Sequence, residues 1–81
     1  MPRFFFHVHD GISVFDDIGL ELLDVAAAQA AAIELSSKIL KDGPGGPLWQ
    51  TWRVEVTDSP REGGQTFLVV HFSVTRHDAA V

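Results

Sequence analysis

Three histidines hold the sharpest chemistry this chain offers. His7 and His9 stand two apart in a run of aromatic and β-branched residues, a spacing that sends both rings to one face of a strand. His71 lies in a second run of the same character near the other end. With the first and last strands adjacent, the three rings would supply the nitrogens of a three-histidine zinc site, with Glu55 as the carboxylate behind them. The competing reading makes them amphipathic strand positions on a partly covered sheet face.

Other candidates carry less. Asp16, Asp17, Glu21 and Asp24 form an acidic cluster, but it lacks the alternating oxygen ligands and closing glutamate of a calcium loop, which leaves a solvated turn leading into a helix cap. Gly43, Gly45 and Gly46 follow a helix instead of preceding one, with Lys41 on the wrong side for a phosphate loop, so they form a linker. Ser36 and Ser37 have no histidine near them in sequence and no nucleophile elbow. Trp49 and Trp52 read as loop and core anchors. No base and nucleophile pair up, so the expectation is a non-enzymatic protein with no cofactor.

The elements that must position these residues follow from periodicity. Arg3 to His9 is strand-like and runs into Asp10-Gly11, the strongest short hairpin signal. A two-residue turn there sets His9 opposite Ile12, Val8 opposite Ser13, His7 opposite Val14 and Phe6 opposite Phe15. Phe4, Phe6, Val8 and Phe15 then share one face, and Phe5, His7, His9, Ile12 and Val14 the other. Asp16 to Leu23 is a transition with a bend at Gly19, and Leu20 and Leu22 are candidates for a short extended piece. Asp24 has the chemistry of an N-cap. From Val25 to Leu40 the residues favour a helix, with Val25, Ala28, Ala32, Leu35 and Ile39 as its inner stripe, flanked by Ile33 and Leu40. A Gly/Pro loop covers 42–49. Gln50 to Asp58 alternates, Trp52, Val54 and Val56 against Arg53 and Glu55, and after a turn Gln65 to Thr75 forms the last strand. There, Leu68, Val70, Phe72 and Val74 make the row for the helix, and Phe67, Val69, His71 and Ser73 the other. A tail at 77–81 has little to bury.

The expected fold is therefore α+β, β-β-α-β-β: an antiparallel sheet of about four strands with one helix packed on one face, in a single domain spanning residues 1–81. One helix covers one face of a small sheet. Phe5, Val14, Phe67 and Val69 are left without cover, which predicts self-association, most simply a homodimer through the sheet face or a strand edge, with Arg53 and Glu55 at the rim. Two alternatives stand beside it: a metal or small-ligand binder using His7, His9 and His71, and an antitoxin-like partner protein.

Composition narrows the partners. At 81 residues the chain is too short for two independent cores. A net charge of −5 with six basic residues and no basic cluster argues against nucleic acid. The opening Met1-Pro2-Arg3-Phe4-Phe5-Phe6 is apolar for only three residues in a row, too few for a signal-peptide core or a membrane span. No cysteine is present, which suits a reducing, cytoplasmic setting.

The residues Met1-Pro2-Arg3-Phe4-Phe5-Phe6-His7-Val8, Asp10-Gly11, Asp17-x-Gly19-x-Glu21-Leu22-x-Asp24 before an alanine-rich helix, and Trp52-x-Val54-Glu55-Val56-x-Asp58 together resemble a short domain of unknown function found mainly in alphaproteobacteria. The resemblance spans nearly the whole chain and rests on turn glycines, caps and core positions. It implies a stand-alone protein of this size without assigned catalytic residues. The chain departs from that pattern in the Gly-Pro loop at 43–47 and in carrying His7 where an aspartate or similar residue is expected, which sets the family resemblance against a general histidine-based function.

Overall fold

The computed structural model describes residues 1–11, 13–42 and 49–75. Along the chain run β1 (Arg3–His9), β2 (Ser13–Val14), β3 (Leu20–Glu21), α1 (Val25–Asp42), β4 (Trp49–Thr57) and β5 (Thr66–Thr75). All strands join one antiparallel sheet of five strands in the order β2-β1-β4-β5, with β3 also paired to β1. The α+β expectation holds, with the extended piece at Leu20 as a fifth, two-residue strand. Residues 43–48 of the expected Gly/Pro loop and the expected tail at 77–81 lie outside the described residues, as does Ile12. No helix among the described residues is long and apolar enough to cross a membrane.

The helix forms where its composition and cap direct. The Asp24 carboxylate accepts the Ala27 N–H at 2.9 Å, satisfying an amide that the first turn leaves unpaired. Ala28 and Ala32 are fully buried against Phe4, Val54 and Val56. Their small side chains bring the helix close to the sheet, and Leu35 and Ile39 extend the contact towards the C-terminus. On the sheet, Phe6 and Val8 of β1, and Leu68, Val70 and Phe72 of β5, complete this layer, and Trp52 stacks on Phe72 with ring centroids 5.3 Å apart.

Two registers differ from the expected ones, and each moves residues between faces. The β1–β2 hairpin pairs His9 with Ser13 and Val8 with Val14, so residues 10–12 separate the strands, with Gly11 at φ 102°. A one-residue slip inverts a strand. Val14 therefore joins Val8 on the helix side, and Phe15 turns to the opposite face, its ring centroid 5.0 Å from that of His7 and 5.9 Å from that of His9. In this register the Phe15 ring meets His7 tilted at 60° and His9 edge-on at 87°, and Ser13 bonds His9 at 2.7 Å. In β5 the second difference is a bulge: Val56 faces Leu68 and Thr57 faces Thr66, which leaves Phe67 as the extra residue. Phe67 swings to the helix side and meets the buried Phe4 ring edge-on at 5.3 Å.

Between β2 and β3 the chain arches over the face opposite the helix. Both short strands lie along the same edge of β1, because the carbonyl of Pro2 and the N–H of Phe6, which point to one side of the strand, bond to Leu22 and Asp16 respectively. Arg3 ties the arch down, donating to the Ile18 carbonyl at 2.8 Å and pairing with Glu21 at 3.2 Å. Gly19 lies directly on Phe5, where only a residue without a side chain fits. Phe5 is 8% exposed as a result.

The apolar patch expected on the open face is thus dispersed. Phe5 is enclosed by the chain's own arch, Phe67 belongs to the core, and Val14 is on the other side. Of the four residues only Val69, 37% exposed, remains on that face.

Candidate functional site

The open face carries polar side chains in cross-strand rows. The registers set His7 beside Glu55 and Val69, and His9 beside Arg53 and His71. His7 and His9 do share a face, as their spacing predicts. His71, however, lies two strands from His9, with β4 and the cationic Arg53 between them, because β1 pairs with β4 and not with β5. Among the described residues no group of three histidine, aspartate or glutamate side chains is placed to hold a metal ion.

His7 is 1% exposed and fully bonded. The Asp16 N–H donates to its Nδ1 at 3.0 Å. A backbone amide can only donate, so Nδ1 has no proton and Nε2 has one. The Nε2 proton is shared between the Ser59 carbonyl at 2.9 Å and Thr57 Oγ1 at 3.0 Å. The Thr57 hydroxyl itself donates to the Ser59 carbonyl at 2.8 Å and accepts the Ser59 N–H at 3.2 Å. A hydroxyl within 3.0 Å of an imidazole is the geometry of a nucleophile and its base. Here the roles are reversed: the ring offers a proton to the hydroxyl and cannot take one from it. The cluster locks β1 to the turn after β4.

Asp16 organises the arch. Its Oδ2 accepts the Phe6 N–H at 3.2 Å, and Oδ1 accepts those of Ile18 at 3.0 Å and Gly19 at 3.1 Å. Burial pushes the Asp16 carboxyl up, but the amides of Gly19, Ile18 and Phe6, with a smaller contribution from His7, outweigh it and hold the group below the usual aspartate range.

His9 and Glu55 form a second unit. The His9 Nε2–H donates to Glu55 Oε1 at 3.1 Å, and Ser13 bonds the other ring nitrogen. The Thr66 hydroxyl donates to Glu55 Oε2 at 2.5 Å. That bond does most to hold Glu55 below the usual glutamate range; partial burial opposes it, and His9 adds to it.

Around these units lies a cleft of about 390 Å³, walled by Phe15, Arg53, Glu55 and the turn after β4, which contributes Arg61, Glu62 and Gly63. On the helix side a separate recess of about 410 Å³ is lined mainly by apolar groups, among them Val8, Val14, Leu20 and Leu35. Thr57, Thr66, Phe15 and Arg61 are absent from the sequence-based candidates, and Asp16 is among them only as part of an acidic cluster. Asp16-x-x-Gly19 does carry a local signal, an aspartate able to accept the amides two and three residues on. Thr57, Thr66 and Arg61 are brought in by pairing and by the turn, which no local pattern encodes.

A model for a domain of unknown function (DUF6894) matches residues 3–73 of the chain. No curated protein and no solved structure matches it.

Proposed function

We propose that this chain, which belongs to the DUF6894 family, is a non-enzymatic interaction module that pairs with a second copy of itself along the outer edge of β5. The observation that carries this reading is the character of that strand. β5 spans the ten residues Thr66–Thr75, about 33 Å at 3.3 Å per residue, and contains no charged residue, no proline and no glycine. Among the described residues it pairs only with β4. Edge strands in monomers are normally blunted by charge, proline or brevity, and β5 has none of these over most of its length.

A two-fold antiparallel β5–β5 pairing would continue the sheet from one protomer into the next. Ile33 and Leu40, 49% and 43% exposed, support it from the helix. Ala31 and Leu35 line the recess over β1 and β2, and at about 100° per residue positions 33 and 40 fall on the opposite flank, the one nearer β5. Across a two-fold seam those side chains would meet their counterparts. The sheet face itself offers Arg53, Glu55 and the two histidines around a single exposed Val69, which favours the edge over the face.

The deciding experiment is light scattering coupled to size exclusion at tens of micromolar, on the native chain and on Val69→Lys/Ser73→Lys. The native chain is expected at twice its 8.9 kDa mass, and the variant at the monomer mass with an unchanged circular-dichroism spectrum. A monomeric native chain overturns the reading, and so does a dimer that survives both lysines.

A further inference from the structure

The geometry points to a binding site for a small monocarboxylate with a flat apolar body, in the cleft between the open sheet face and the turn after β4. This inference does not depend on self-association. At about 390 Å³ the cleft falls within the range of about 300–1,000 Å³ in which small-molecule sites lie. Its walls supply what such a ligand needs. Arg53 from the middle of the sheet and Arg61 from the turn both line it, and neither guanidinium has a hydrogen-bond or ion-pair partner among the described residues. Guanidiniums present a planar fork of donors that matches a carboxylate. Phe15, pinned against the His7 and His9 rings, provides an aromatic wall.

Two carboxylates also line the cleft, and they limit how many donors a ligand finds free. Glu55 is already engaged by Thr66 and His9, so it does not compete for the arginines. Glu62 is the uncommitted one. Two guanidinium forks against one uncommitted carboxylate leave donors unpaired, enough for one further carboxylate and not for two. His7 contributes shape alone, since both its ring nitrogens are spent.

Titration of the ¹⁵N-labelled chain with benzoate, followed by amide and arginine Nε–H shifts, tests this. Saturable shifts are expected at Phe15, Arg53, Arg61 and Gly63, with a dissociation constant in the millimolar range. Benzylamine, of the same shape and opposite charge, should produce none of them. Arg53→Gln/Arg61→Gln should weaken benzoate by about tenfold or more, and Glu62→Gln should tighten it a few-fold. Both replace exposed side chains, and a dispersed amide spectrum verifies that each variant is folded. Absence of saturation with benzoate, equal shifts with benzylamine, or unchanged binding in the double arginine variant would overturn the assignment.

Discussion

Replacing Gly19 by alanine should cost about 2–5 kcal/mol of stability, comparable to the roughly 3–5 kcal/mol available to a domain of this size. Two contributions add. Gly19 has φ 74°, a conformation that costs an L-residue about 1–2 kcal/mol. The new Cβ would also sit 2.8 Å from Phe5 Cε2, 2.9 Å from Arg3 Cγ and 3.0 Å from the Phe4 carbonyl oxygen. The last of these is backbone in the sheet and cannot move aside, so the overlap adds about 1–3 kcal/mol. Gly11 separates the two contributions, because its φ is 102° but nothing lies within 4 Å of the added carbon. Gly11→Ala should show the conformational part alone. Equilibrium urea unfolding, followed by emission of the buried Trp52, should rank the midpoints native, then Gly11→Ala, then Gly19→Ala. Amide exchange at Phe6 and Asp16 should accelerate only in Gly19→Ala, because those bonds depend on the arch. Equal midpoints for the two variants would refute the claim that the arch rests on Phe5.

Three more outcomes follow from the same structure. Asp16→Asn should cost about 1–2 kcal/mol, for weakened bonds to three backbone amides. It should also flatten acid unfolding: a carboxyl held below its unfolded value stabilises fully above about pH 5, and that share is lost as pH falls through the aspartate range. Thermal melts from pH 7 to pH 3 should therefore converge for native and variant at the acid end. Long-range ¹H–¹⁵N correlation should find the His7 proton on Nε2 at neutral pH, and a proton on Nδ1 would contradict the Asp16 bond. Phe67→Ala should destabilise by about 3 kcal/mol and Val69→Ala by less than about 1 kcal/mol, as denaturant midpoints would show, because the bulge puts the first ring in the core and leaves the second side chain half in water.

The sequence is most readable where order is local. The α1 cap, the alanine face and the alternation of Trp52, Val54 and Val56 depend on neighbours within a turn or two of chain, and they stand as periodicity places them. The faces of Val14 and Phe67 do not, because each depends on one residue of register. Asp10-Gly11 favours a two-residue turn, yet the rings of His7 and His9 and the hydroxyl of Ser13 reward the longer one, and that reward is tertiary. The bulge at Phe67 likewise gains an aromatic contact with Phe4, sixty-odd positions earlier. As for the candidate site, the shared face of His7 and His9 follows from spacing alone. What the rings do is set by Asp16 and Thr57, partners supplied by an arch and a turn, and the separation of His71 is set by strand order. Only the Asp16 turn has a short-range signature, and that signature does not say which ring it meets.

The arch has one more effect, on stoichiometry. Along β1 the outer hydrogen-bonding positions are taken by β3, by the Asp16 carboxylate at Phe6 and by β2, so the far rim of the sheet offers only fragments two residues long. A sheet sealed at this margin and, among the described residues, open only at β5 cannot polymerise by strand addition. Two copies joined by β5 would present only sealed margins to a third, and growth would end at the pair.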